Sequence, residues 1–195
     1  MPVHSPESIC NLACDKLGAD TTLTNIAAPV KPNERLLARQ YFHLRDVELR
    51  KHRWLFALEV HALTPIGSPL VNDLDGTLYV YNWPTNALRP VRESGSTWQS
   101  RARKILDASS TGVTVKFIMQ VVPALFDDLF AEALASRIAE VCCEKITQST
   151  DKKEMMQNDY KTAIDSARRA NGFELGPEPL YGNDDTYDWL TERNR

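Results

Sequence analysis

The sequence predicts an α+β protein in which a four-helix body carries an inserted antiparallel β sub-domain and an extended C-terminal tail. Three observations predict this class: helical periodicity at both ends, an apolar alternation of period two in the middle, and a Pro- and Asp-rich final stretch. The predicted helical body comprises residues 1–53 and 122–172, and the β-rich insertion residues 54–121. Residues 173–195 form the predicted tail.

The strongest helical signal is a pair of long helices near the C-terminus. Apolar residues recur at every fourth position of the first: Phe126, Phe130, Leu134, Ile138, Cys142 and Ile146. Pro123 suits its first turn. A polar run, 147–151, offers Ser149 or Thr150 as the next N-cap, and Gly172 is the predicted end of the second helix. So short a connection predicts an antiparallel hairpin.

Two further helices are predicted at the N-terminus. Ser5 followed by Pro6 is typical of a helix start, and Gly18 of a helix end. Asn33 can cap a second, strongly basic helix that runs to about Arg50. These helices are expected to cover the C-terminal hairpin.

The middle third favours strands. From Trp54 onward apolar side chains alternate, which predicts a strand beginning there, although its alanines also allow a helix. Residues 104–108 and 113–121 are predicted to pair as a hairpin through the turn 109–112.

Composition limits the possible functions. The 195 residues carry a net charge of −3, which lacks the basic footprint of a dedicated nucleic-acid binder. No apolar run is long enough for a membrane anchor, and the first residues do not resemble a secretory signal. The four cysteines are expected to be buried thiols in a reducing compartment: Cys10, Cys14, Cys142 and Cys143.

Catalytic and metal-binding signals are weak. The chain has no HExxH, GxSxG or phosphate-loop motif, so no catalytic residue, metal ligand or cofactor is expected. The segment 72–76 is similar to the start of a calcium loop but is interpreted as a turn. Glu59, Glu93 and Asp107 could pair in space for glycoside hydrolysis, an alternative that spacing alone leaves open.

Two basic runs, residues 45–53 and 89–104, stand out in this acidic chain. The second contains Arg92, Arg101 and Arg103. A solvated surface is the default interpretation, and an interface with an acidic partner or a DNA backbone is the functional alternative.

The order of features resembles the tail tubular protein A and head-to-tail adaptor family of short-tailed bacteriophages. The segments that carry the resemblance span nearly the whole chain: 10–13 (CNLA), Leu17 with Gly18, 50–57 (RKHRWLFA), 81–89 (YNWPTNALR), 126–139 (FDDLFAEALASRIA), 160–167, and the closing Trp189, Leu190 and Arg193. Trp83 and Asn86 depart from the Leu and Asp that the family has in the turn YxLPxDxLR.

The resemblance implies a structural protein of the virion and not an enzyme. Its implied partners are the portal protein, the tail tube or nozzle protein, and further copies of itself in a dodecameric ring assembled in the host bacterial cytoplasm. Viral DNA would pass through this ring without sequence-specific binding.

Residues for these contacts are expected in two places. The tail carries more aromatic and apolar residues than a solvated linker should, so it is expected to dock on the portal, through Tyr187, Trp189, Leu190 and Arg193. Arg45, Arg50 and Arg53 are expected to meet an acidic neighbour in the ring. A cell-wall hydrolase acting during phage entry and a small DNA-binding module are the alternative functions.

Overall fold

The chain folds into four α-helices and two antiparallel sheets in the computed structural model, which describes residues 4–68, 70–72, 76–93 and 95–175. The helices are α1 (Pro6–Leu17), α2 (Pro32–Lys51), α3 (Asp128–Thr147) and α4 (Thr150–Leu175). The strands are β1 (Leu58–Leu63), β2 (Leu70–Asn72), β3 (Gly76–Asn82), β4 (Ala87–Val91), β5 (Gln99–Arg101), β6 (Lys104–Asp107) and β7 (Val113–Met119). The predicted α+β class with four helices is confirmed.

Local capping explains where α1 and α3 begin. The Ser5 hydroxyl accepts a hydrogen bond from the Ser8 N–H at 3.1 Å, and Gly18, at φ 60°, ends α1 in the left-handed conformation that glycine tolerates best. The Asp127 carboxylate accepts bonds from the N–H groups of Leu129 and Phe130. These interactions satisfy backbone donors that the helix itself leaves unpaired.

Helices α3 and α4 form the predicted hairpin, with two differences at its ends. Pro123 begins a single 3-10 turn, and α3 starts five residues later at Asp128. Ser149 caps α4 by accepting from the Lys152 N–H at 3.3 Å. Gly172 does not end α4, which continues to Leu175, because nothing follows directly that forbids helical geometry.

The strands form two sheets, ordered β1-β7-β4 and β2-β3-β6-β5. The predicted hairpin of residues 104–108 with 113–121 is therefore wrong: β6 pairs with β3 and β5, whereas β7 pairs with β1 and β4. The turn between them carries the chain from one sheet to the other. Gly112 lies close to β1 there, since a Cβ at this position would be 3.1 Å from the Leu63 carbonyl oxygen.

The entry to β1 also differs from the prediction. Leu55–Ala57 form a 3-10 turn, so β1 begins at Leu58 and not at Trp54. Val60, one of the alternating apolar residues that follow Trp54, is 59% exposed.

One continuous set of buried apolar side chains links the helices with both sheets. Its aromatic centre consists of Trp54, Phe56, Phe126 and Phe130, whose ring centroids lie 4.9–5.9 Å apart in the contacting pairs. Trp54 thereby fixes the end of α2 against the beginning of α3.

Candidate functional site

The candidate site lies where α2 ends and the chain turns toward β1. Arg50 and Lys51 occupy the last turn of α2, and the extended backbone of His52 ends the helix. Positive charge at a helix C-terminus interacts favourably with the helix dipole. The helix dipole therefore gives a structural reason for the positive charge concentrated at this end of α2.

A buried carboxylate anchors this end of α2. Glu48 is 1% exposed and accepts a hydrogen bond from the Tyr160 hydroxyl at 2.9 Å. Lys51 Nζ lies 2.7 Å from it and Arg137 Nε 3.7 Å. The Glu48 backbone carbonyl also accepts from Trp54 Nε1 at 3.0 Å. Helices α2, α3 and α4 and the aromatic centre thus meet at one residue.

Asn171 joins α4 to the segment that follows α2. Its Oδ1 accepts from the Leu55 N–H at 2.8 Å, and its Nδ2 donates to the Arg53 carbonyl at 2.9 Å. The same Nδ2 lies 3.4 Å from His52 Nε2. Because Nδ2 can only donate, this contact favours a neutral imidazole whose Nε2 accepts and whose Nδ1 carries the proton.

Several cationic groups converge around this junction, and we call them the arginine cluster: Arg50, Arg53, Arg89 and Arg168, with His52. Burial lowers the pKa of the Arg89 guanidinium, and the nearby charges of Arg50 and Arg53 lower it further. Burial likewise lowers the pKa of His52, with further lowering from Arg168 and Arg89. Side chains from α2, β4 and α4 are therefore close enough to repel one another.

Acidic groups only partly compensate this charge. Glu93 lies 3.7 Å from Arg53 Nη2, but it also lies 2.5 Å from Lys116 Nζ. Asp165 lies 3.8 Å from Arg168 Nη1, at the long end of the ion-pair range. Among the residues that the structure describes, neither Arg50 nor Arg89 has a carboxylate within ion-pair distance, so described side chains leave their positive charge uncompensated.

Arg45, expected beside Arg50 and Arg53, is engaged elsewhere. Its guanidinium lies over the rings of Tyr41 and Phe42, at 5.9 and 5.6 Å from their centroids. Its Nε lies 2.8 Å from Asp46, and its side chain is only 14% exposed. The structure therefore brings two of the three predicted interface arginines together and gives the third a packing role.

The second basic run is dispersed. Arg92 donates to the Ser96 carbonyl at 3.2 Å, and Arg103 donates to the Ala87 carbonyl at 2.9 Å while covering the Trp83 ring. Arg89 is the member of this run that joins the arginine cluster.

The carboxylates considered for glycoside hydrolysis have separate partners. Glu59 pairs with His61 at 3.2 Å, Glu93 with Lys116 and Arg53, and Asp107 accepts from the Thr97 hydroxyl at 2.7 Å. The two clefts described below contain none of the three.

These clefts lie among α1, α3 and α4. Both are lined partly by apolar side chains, Leu12 in one and Leu129 in the other, which are 38% and 37% exposed. Carboxylates dominate the charged lining: Asp15, Asp128, Glu132 and Asp159. This acidic surface, as we call it, lies on a different side of the helical body from the arginine cluster.

The cysteines are buried and unpaired, as predicted. Burial raises the pKa of both Cys10 and Cys142 to about 12, so neither is an activated thiolate. Within residues 4–68, 70–72, 76–93 and 95–175, no group of His, Cys, Asp and Glu side chains could hold a metal ion. The calcium-like segment 72–76 is only partly covered, since residues 73–75 lie outside the described residues.

The predicted portal-docking residues Tyr187, Trp189, Leu190 and Arg193 also lie outside the described residues. Sequence reasoning missed Glu48, Arg168 and Asn171. Glu48 and Asn171 each interrupt an apolar stripe, four residues after Leu44 and Ala167 respectively, and a polar residue in such a position is a signal of a buried polar contact.

The chain matches no protein-family model, and no curated protein is significantly similar to it. Among the described helices, none combines the length and the apolar character needed to cross a membrane.

Proposed function

We propose that this chain is a structural head-to-tail adaptor of a short-tailed bacteriophage. Twelve copies would form a ring that binds the portal protein on one side and the tail tube or nozzle protein on the other. The DNA would pass through the ring without sequence-specific contacts, and the protein would act in the virion and not as an enzyme.

The order and spacing of the resembling segments carry the proposal, and their positions in the fold support it. Residues 50–57 end α2 and place Trp54 in the core. Residues 81–89 connect β3 to β4, where Pro84 accepts a hydrogen bond from the Ala87 N–H at 3.1 Å. Residues 126–139 begin α3 with its Asp127 cap. These three segments thus include joints between elements, whereas segments 10–13 and 160–167 lie within α1 and α4.

Charge separation supports a ring. A closed ring of identical copies needs two different, complementary faces on each copy. Arg168 and Asp159 are nine residues apart on α4, or about 900° of helical rotation, so they project from opposite sides of it. Arg168 belongs to the arginine cluster and Asp159 to the acidic surface. We infer that the cluster of one copy faces the acidic surface of the next.

The decisive test is native mass spectrometry of the full chain, alone and mixed with portal rings of candidate phages. Wild-type protein should bind its cognate portal as a twelve-copy ring. The double variant R50E/R53E should form markedly fewer rings, because it places acidic groups against an acidic neighbour. Adding E132R and D159R to that variant should restore rings by exchanging the two charges.

Arg39→Glu is the matched control, because Arg39 is also exposed on α2 but lies outside the arginine cluster. It should assemble like the wild type. Rings that form equally well in R50E/R53E would refute the interface. A chain that ignores every portal and clears purified peptidoglycan would instead support the hydrolase alternative.

A second variant tests the tail. Replacing Tyr187, Trp189 and Leu190 with alanine should abolish portal binding, since these residues supply the apolar contacts that docking needs. Far-ultraviolet circular dichroism should stay unchanged, because these positions lie outside the predicted helical body of residues 1–53 and 122–172. Retained portal binding would rule out a docking role for the tail.

A further inference from the structure

The arginine cluster has the composition of an anion site and not only of a charged surface. Its side chains come from three elements: Arg50 and His52 from the end of α2, Arg89 from β4, and Arg168 from α4. Groups that approach from several directions can surround a ligand, which a single helical face cannot do. All of them belong to one chain, so the site does not depend on the proposed ring.

Two of its guanidinium groups have unsatisfied donors. The Nε atoms of Arg89 and Arg168 are buried, and neither finds a hydrogen-bond acceptor among the residues that the structure describes. Buried donors normally have a partner, and one without it gains more from an added acceptor than an exposed donor does. A guanidinium is also too basic to relieve repulsion by losing its proton.

His52 adds a donor that can respond to a ligand. Asn171 occupies its Nε2 side at 3.4 Å, which leaves the Nδ1 proton available for another acceptor. The charges of Arg89 and Arg168 disfavour the protonated imidazole of His52. An anion bound between these three groups would offset that repulsion. Binding of the anion and protonation of His52 should therefore strengthen each other.

We propose that Arg50, Arg89, Arg168 and His52 form a binding site for a phosphate-class oxyanion. Such an anion carries several oxygen acceptors pointing in different directions, which matches donors from three elements better than the planar carboxylate does. The anion could be free phosphate or a phosphodiester of a nucleic acid, because both present the same non-bridging oxygens.

The test follows the His52 ring by NMR in the full chain while inorganic phosphate is added at constant ionic strength maintained with chloride. The expected result is a saturable shift and a higher pKa of His52 in phosphate than in chloride. Arg50→Gln should weaken phosphate binding about tenfold, the loss expected for one charge-assisted contact. Arg39→Gln, the same change on the same helix outside the cluster, should bind within about twofold of the wild type.

Arg50 is chosen for the substitution because it is exposed, so its replacement should leave the fold intact. Arg89 is more buried, and Arg89→Gln could fail to fold. A shift that follows ionic strength without saturating, or an equal loss in Arg39→Gln and Arg50→Gln, would overturn the site. Short duplex DNA distinguishes the two sources. If the duplex displaces phosphate from the wild type but not from Arg50→Gln, the natural ligand is a phosphodiester. If phosphate binding saturates and the duplex does not compete with it, the ligand is the free anion.

Discussion

Glu48 is a buried acidic residue whose carboxylate is surrounded by polar partners. Its carboxylate accepts a hydrogen bond from the Tyr160 hydroxyl and lies beside Lys51 and Arg137. The Arg137 guanidinium carbon also lies 5.0 Å from the centroid of the Tyr160 ring. Burial raises the pKa of Tyr160, and the Glu48 charge raises it further, so the phenol remains a donor. The network joins side chains from α2, α3 and α4.

Glu48→Gln should therefore destabilise the protein by about 3 kcal/mol, because the change leaves Arg137 and Lys51 without their buried partner. Urea unfolding followed by circular dichroism measures this difference. Glu144→Gln is the control, since Glu144 makes an exposed ion pair with Lys153 at 2.8 Å and should leave stability almost unchanged. Equal effects of the two substitutions would contradict a special role for Glu48.

Residue-level predictions succeeded where the information was local. The burial of Cys10 and Cys142 follows from their places on apolar helical faces. The partner of Glu48 could not be found that way, because Tyr160 is 112 positions further along the chain. A polar residue in an apolar stripe indicates that a partner exists without identifying it.

Asn171 acts at the scale of elements, because it holds α4 against the connection between α2 and β1. Asn171→Ala would leave the Leu55 N–H and the Arg53 carbonyl without their side-chain partner in a half-buried setting. The expected loss of stability is about 2 kcal/mol, the cost of unsatisfied buried polar groups. It should be visible as a lower urea midpoint at an unchanged dependence on urea concentration.

Asn158→Ala provides the matched control, since Asn158 is exposed on the same helix. Its midpoint should stay close to that of the wild type. Hydrogen exchange adds a second measurement: the Leu55 amide should lose protection in Asn171→Ala. If that amide stays protected, Asn171 does not fix this connection.

Elements differ in how well a sequence predicts them. The sequence predicts the start of α1 at Ser5, because the capping side chains lie within three residues. It predicts the start of the third helix at Pro123, whereas Asp127 caps α3. Strand pairing depends on distant segments: β7 pairs with β1, and the paired residues Val60 and Lys116 are 56 positions apart. The short turn after β6 indicates a local hairpin of β6 with β7. In the structure each strand instead pairs with more distant segments, which completes both sheets.

The whole molecule separates its charge, and this separation gives its stability a specific pH dependence. The net charge is −3, yet the arginine cluster concentrates positive charge around His52. Among the described residues, the charged groups near His52 are Arg89 from β4 and Arg168 from α4. Its neutral neighbours include Asn171 and the Trp54 ring, whose centroid lies 4.8 Å from that of the imidazole. No alignment of local motifs could predict this assembly, because its members come from three distant segments.

The pKa of His52 is lower in the folded protein than its usual value of 6.5. Between these two values the unfolded chain binds more protons than the folded one, so the free energy of unfolding should fall as the pH falls below about 6.5. One proton gives a slope of at most about 1.4 kcal/mol per pH unit. Urea unfolding of the wild type and of His52→Gln between about pH 7.5 and 5.5, one unit either side of 6.5, measures this slope.

The difference between the two proteins isolates His52 from the other histidines. The wild type should lose more stability than His52→Gln over this range, and a phosphate buffer should reduce that loss, since an anion in the cluster favours the protonated imidazole. Parallel pH profiles would mean that the cluster does not act on His52. A phosphate effect that persists in Arg50→Gln but not in Arg39→Gln would place the anion elsewhere on the molecule.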